Sequence, residues 1–312
     1  MTAHYAEAEA DADTGAGAHA RALPALTSEQ TRIKITQRTP SWNNKPVDVT
    51  DALDFWSAAG AAANVIMQLS WPEVGYGVAE SRVHSGSLMH HPWKRLRTTA
   101  QYMAVAILGT DEERKAYREA VNVAHRQVQS TDESPVKYNA FHRDLQLWVA
   151  ACLFVFYEDT YQLLHGKLNE EQAEVFYRSA MPLGTTLQVH EDQWPTTRKE
   201  FEQYWNTACA RIEMDDFIRE FLLKIVDLKM INIVPRIVLA PLLRFLTIGF
   251  LAPVFRENLR VEWTDTDQRR FEHLFLFVSF VNRFIPKFIR THNYAVLMTD
   301  LRWRLKRNKP LI

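Results

Sequence analysis

Apolar positions recur at three- and four-residue intervals almost throughout this chain, and convincing period-two alternation is absent, so the pattern predicts an all-α protein. Asp51 to Leu69 reads as the first helix, with a small-residue patch at Gly60-Ala61-Ala62-Ala63 where another backbone can approach closely; Trp71-Pro72 ends it. A loop containing Gly75, Gly77 and Gly86 follows. Pro92 then opens a helix at a position where its missing N–H costs nothing, and Gly109 closes it. Trp93, Leu96, Ala100, Met103 and Ile107 form its expected core stripe, and Arg95 and Thr99, one turn apart, project together beside that stripe. The next helix starts with a Thr110/Glu113 capping box and first-turn Asp111 and Glu112, and Ser134-Pro135 lies beyond its end. On it His125 shares a face with Tyr117, Val121, Ala124 and Val128, while Arg118, Glu119, Asn122, Arg126 and Gln127 read as the polar side.

Further along, Asp144 to Leu164 is apolar on most sides and should be central to the fold. Glu170 to Ala180 reads as amphipathic and exposed, Thr197 and Glu200 cap another helix, and further helices are expected near 215–229, 235–250 and 264–284. Met230 to Phe255 is rich in Ile, Val, Leu and Phe, but Pro235, Arg236, Pro241, Arg244 and Pro253 interrupt it. No window reaches the ~20 uninterrupted apolar residues that a bilayer span requires, so buried helices are expected, with peripheral membrane contact as the alternative. Met1 to about Leu26 is rich in Ala, Asp, Glu and Gly and lacks an apolar segment, which predicts a mobile tail rather than a signal peptide or anchor. The expected organisation is a disordered tail over 1–30 and one large helical domain over 31–312. The basic closing segment, with Arg302, Arg304, Lys306, Arg307 and Lys309, reads as a solvated end.

Composition narrows the function classes. A 312-residue chain that is 47% hydrophobic can bury a large core. Lys plus Arg and Asp plus Glu both number 37, leaving no basic field for a nucleic-acid partner. Cys152 and Cys209 show no metal spacing and read as packing residues of a protein in the reducing cytoplasm. There is no G-x-S-x-G elbow, phosphate-binding glycine loop, H-E-x-x-H or Glu-x-x-His pair, so hydrolase, nucleotide-binding, zincin and di-iron readings lack their minimum residues. His90-His91 and His190-Glu191-Asp192 project to different faces and suit surface or loop roles. His125 remains. Taken alone, it is either a core histidine bonded to a carbonyl or an axial ligand to haem iron, which needs a neutral imidazole on a rigid element beside an apolar slot.

The order of motifs resembles the oxygenase family that includes the latex clearing protein, a rubber oxygenase, and the fungal oxygenase of mycophenolic acid biosynthesis. The matching landmarks are Gln68-Leu69-Ser70-Trp71-Pro72 with Gly77-Val78-Ala79-Glu80-Ser81, then Pro92-Trp93-Lys94-Arg95-Leu96-Arg97-Thr98-Thr99, then Val123-Ala124-His125-Arg126-Gln127-Val128. Tyr138-Asn139-Ala140, Leu147-Trp148-Val149, Trp194-Pro195-Thr196-Thr197 and Leu251-Ala252-Pro253 continue the succession over about residues 50 to 305. The resemblance implies an all-α, globin-like core holding haem b, with His125 as proximal iron ligand and Arg95 and Thr99 as distal catalytic residues. It also implies Thr98 and Arg126 as further cofactor contacts, and Glu80 close to the family's distal acid. The rubber enzymes carry a lysine where this chain has Thr98, a departure that bears on the resting distal ligand and on polyisoprene cleavage. The implied function is a haem-dependent oxidoreductase, an oxygenase or peroxide-dependent oxidase acting on a hydrophobic or aromatic small molecule. A non-catalytic haem or lipid carrier is the alternative, and assembly into a homo-oligomer is left open.

Overall fold

The computed structural model of the chain describes residues 24–36, 46–81, 83 and 88–312, apart from the side chains of 233–235. Its described helices are α1 (Ser28–Thr31), α2 (Ala61–Leu69), α3 (Pro72–Ala79), α4 (Pro92–Leu108), α5 (Asp111–His125), α6 (Arg143–His165), α7 (Glu170–Ser179) and α8 (Pro182–Thr185). They continue with α9 (Arg198–Cys209), α10 (Asp216–Val226), α11 (Ile233–Gly249), α12 (Pro253–Leu259), α13 (Asp265–Asn282), α14 (Lys287–Arg290) and α15 (His292–Lys306). Among the described residues no sheet forms, and strand-like pairing is limited to an isolated antiparallel bridge between Gln129 and Asn139. The fold is all-α, as the periodicity predicts.

A helix that is apolar on most sides has to be wrapped, and α6 is. It packs against α2, α8, α13 and a 3₁₀ turn at Val49–Ala52, and its Trp148, Cys152, Phe154 and Tyr157 are fully buried. Trp148 stacks between Trp71 and Trp205, with ring centroids 4.7 and 5.2 Å away. Both cysteines are free and buried, as expected.

Tertiary packing overrides the pattern in five places. The first expected helix is broken into two 3₁₀ turns, Val49–Ala52 and Phe55–Gly60, before α2 begins. Asp48 and Asp54 accept the backbone N–H groups of Thr50 and Trp56 and so start each turn separately. The Gly75/Gly77 loop is instead α3, opened by Pro72. Gly75 serves close packing there: a Cβ would lie 2.7 Å from the Leu69 carbonyl oxygen and 3.0 Å from Ile218. Gly86 lies outside the described residues.

The apolar stripe of α4 is core only in its C-terminal half, where Tyr102, Val105 and Ile107 are buried. Trp93 is 71% and Leu96 49% exposed, because nothing among the described residues covers the first turns. The helix expected to be buried within 230–255 is likewise divided. Leu246 and Ile248 of α11 are buried near Phe271, but Ile237, Val238, Leu239 and Leu242 are exposed. The basic C-terminus is solvated in part, with Arg302, Lys306, Arg307 and Lys309 exposed as expected, but it is also tied to the fold. Arg302 pairs with Glu113 at 2.7 Å, Arg304 with Asp300 at 2.8 Å, and Leu311 is buried while its carbonyl accepts from Arg97. These distant carboxylates cannot be read from local charge. Of the tail expected over 1–30, residues 1–23 lie outside the described residues, and α1, with a Thr27/Gln30 capping box, packs on α9 and α12.

Candidate active site

The Thr110/Glu113 capping box forms as expected and starts α5, which ends at His125. The His125 ring stands edge-on to Phe141, with centroids 6.1 Å apart and planes at 80°. Its Nδ1 is closed off from solvent and has no hydrogen-bond partner, so the carbonyl that a core histidine would need is absent. Burial, reinforced by the Arg95 charge, pulls the imidazole pKa down to about 4, while Gln188 works weakly in the opposite direction. The ring is neutral at physiological pH.

Gln188 follows α8 and donates from Nε2 to Asn122 Oδ1, one turn before His125 on α5. Its Oε1 is buried and unpaired, and so is Thr186 Oγ1 two residues earlier. Arg118 adds a third such group. Its Nε is buried without a partner, two turns before His125 and therefore on the same side of α5. The sequence pattern placed Arg118 on the polar face. The seven-residue spacing to His125 was the signal that could have found it.

On α4, Arg95 is open to solvent, yet the surrounding protein is dense enough for burial to lower its pKa. No carboxylate among the described residues pairs with it. Thr98 donates from Oγ1 to the Arg95 carbonyl at 3.1 Å, and its own carbonyl accepts from the buried Tyr117 hydroxyl at 2.6 Å. That bond ties α4 to α5, so Arg95, Thr98 and His125 belong to one seam. Thr99 is half-buried on α4 and Arg126 is exposed beside the ligand candidate.

The remaining sequence candidates have other partners. Glu80 Oε2 accepts from Ser134 Oγ and the Tyr138 hydroxyl, both at 2.8 Å. The His91 carbonyl accepts from Arg95 N at the start of α4, and Asp192 pairs with Arg143 at 3.4 Å. Among the described residues no group of three or more His, Cys, Asp or Glu could hold a metal ion. Two recesses, one beside Tyr76 and Asp215 and one beside Arg236 and Pro241, do not involve the His125 residues.

Residues 51–280 match the family described as "ER-bound oxygenase mpaB/B'/Rubber oxygenase, catalytic domain". Two mycobacterial relatives, the uncharacterized proteins Mb2261 of Mycobacterium bovis and Rv2237 of Mycobacterium tuberculosis, are each 45% identical over 251 residues, covering 80% of this chain and 98% of theirs. No solved structure matches the chain. The protein is therefore an enzyme, an oxidoreductase of the haem-dependent oxygenase class. Within that class the chain belongs to the mpaB and rubber oxygenase family, and the matched segment contains the α4–α5 seam.

Proposed function

We propose that this oxidoreductase holds haem b through His125 as proximal iron ligand and oxidises a hydrophobic or aromatic small molecule with dioxygen or peroxide. The observation that carries this reading is a concentration of unpartnered polar atoms. Eight buried side-chain nitrogen or oxygen atoms lack a partner among the described residues, and four of them belong to Arg118, His125, Thr186 and Gln188. Each such atom costs about 1–3 kcal/mol, and clustering them around one neutral imidazole fits a site completed by a ligand.

The donor set suits haem b. Arg118, whose buried Nε lacks a partner, matches a haem propionate, and the exposed edges of Phe141 and Leu96 match the apolar face of the macrocycle. When bound, the haem supplies the redox-active iron at which the oxidant is activated. Gln188 Oε1 is placed to accept the Nδ1 proton of His125, which leaves the Nε2 lone pair for the metal. Burial and Arg95 keep that imidazole unprotonated. Arg95 and Thr99 offer a charged and a hydroxyl donor to the oxidant, Arg126 borders the cofactor, and Thr98 keeps its hydroxyl on the Arg95 carbonyl. A globin-like arrangement of the helices around this pocket, and a cytoplasmic setting suited to two free cysteines, belong to the same reading.

The test is the absorption spectrum of the purified protein, reduced and then exposed to carbon monoxide, beside that of His125→Ala. The wild type is expected to show a Soret band that the variant lacks. Full haem retention by the variant overturns the ligand assignment.

A further inference from the structure

The first half of α11 presents apolar surface over more than half of its circumference. Ile237 is 68% exposed, Val238 75%, Leu239 44% and Leu242 54%, and Pro241 is exposed as well. Successive helical residues lie about 100° apart, so Ile237, Val238 and Leu239 alone spread around more than half of the helix. That arc is wider than the roughly 100° stripe by which a helix packs on one neighbour, and it suits a soft layer into which the helix can sink. The exposed Leu276, Phe277 and Phe280 of α13 differ: they fall at helical spacing on one stripe, which a flat partner could cover. A flat protein surface or a second copy meeting α11 from one side covers only part of that arc.

The charges around this helix point the same way. No Asp or Glu occurs between Asp227 and Glu257, whereas Lys229, Arg236, Arg244 and Arg256 do. Arg244 is neutralised by Asp227 at 2.5 Å, and Arg256 lies over the Trp263 ring at 4.5 Å. Lys229 and Arg236 have no ion-pair partner among the described residues, and Arg236 lines an open recess of about 430 Å³ with Ile237, Pro241 and the Asp227–Arg244 pair, which leaves one net positive charge there. The stretch 233–242 is about 15 Å long at 1.5 Å per residue, half of a ~30 Å hydrocarbon core. Among the described residues no helix is long and apolar enough to cross a membrane.

We propose that the first half of α11 seats this protein on the face of an anionic lipid bilayer, its apolar side chains entering the interfacial layer and Lys229 and Arg236 meeting lipid phosphates. The inference does not depend on the haem assignment. It is tested by co-sedimenting the full chain with vesicles of phosphatidylcholine alone and of phosphatidylcholine with phosphatidylglycerol. The wild type is expected to pellet with the anionic vesicles, less so in high salt. Ile237→Gln, Val238→Gln and Leu242→Gln combined should weaken partitioning about a hundredfold. Lys229→Gln with Arg236→Gln should weaken it at least about tenfold and remove the preference for anionic lipid. Leu276→Gln with Phe280→Gln on α13 should bind like the wild type, and unchanged circular dichroism melting keeps the variants comparable. Wild-type protein left in the supernatant, undiminished binding by the α11 variant, or loss of binding through α13 instead would each overturn the proposal. A dimer that the α11 substitutions dissolve, seen by light scattering, would assign the face to a second copy and overturn it equally.

Discussion

Two clusters of arginine in this molecule are built to opposite rules. At the N-terminal end of the fold, Arg32 and Arg198 converge on α6, where Arg32 reaches Glu158 at 2.5 Å and also bonds Asp159, and Arg198 reaches Glu158 at 2.8 Å and Glu202 at 2.7 Å. Burial alone would raise the Glu158 pKa, but the two arginines outweigh it and hold the carboxyl below its ordinary value. In the α4–α5 seam, Arg95 and Arg118 have no carboxylate partner among the described residues. A buried cation costs several kcal/mol unless it is paired. The first cluster offsets that cost within the chain and holds α1, α6 and α9 together. The second, with Arg95 exposed and only the Nε of Arg118 closed off, has no such partner among the described residues, and on the proposed haem reading the bound cofactor and oxidant supply it.

The contrast can be broken most sharply at Glu158. Replacing it with Ala takes away the carboxylate that Arg32 and Arg198 share, 1% exposed, and leaves them Asp159 and Glu202 alone, which should cost about 3 kcal/mol in urea unfolding. A loss under about 1 kcal/mol would remove the distinction between the clusters. The next effect is a pH dependence at His125. Its pKa is about 4 in the folded chain and near 6.5 unfolded, so between these values the unfolded state binds the extra proton and stability falls as pH falls. Haem-free wild type should therefore lose stability relative to His125→Gln between pH 6.5 and 4, by up to about 2 kcal/mol, since the partly accessible ring keeps some hydration. Parallel melting curves across that window would contradict a neutral imidazole.

Arg118→Met sharpens the comparison with two effects of opposite sign. Removing an unpaired buried polar group should stabilise the haem-free chain by about 1 kcal/mol in thermal melts. It should also weaken haem binding about tenfold in a spectral titration, because a charge-assisted partner is lost. An Arg118 that merely supports the fold would lower stability and leave haem affinity unchanged. The smallest expected effect is at Gln188→Leu, which removes the acceptor facing Nδ1. The Fe–His stretching band should shift in resonance Raman spectra, and an unmoved band would exclude Gln188 from orienting the ring.

Helix type and the principal ligand candidate were legible in the chain because both rest on local chemistry. Thr110 and Glu113, Thr197 and Glu200, and the apolar run of α6 announce their roles within a few residues. Where the pattern misled, the deciding contact was far away in sequence. Gly75 read as a loop residue because Ile218, which needs it to be small, lies 143 residues further on. Trp93 and Leu96 read as core although nothing among the described residues covers them, since periodicity reports that a face is apolar and says nothing about what covers it. Arg118 read as solvated because an inward arginine and an outward one look alike until the surrounding carboxylates are counted.

The linear chain by itself determined an all-helical protein, the caps that start its helices, the succession of motifs that places it among these oxygenases, and an imidazole at residue 125 as the ligand candidate. Only the tertiary structure decided which polar groups found partners, which apolar faces stayed bare, and that Arg118 and Gln188 keep company with that imidazole. The division has a physical cause. Helix formation and capping are settled within one or two turns of backbone, whereas hydrogen-bond satisfaction and burial are properties of the whole packed interior.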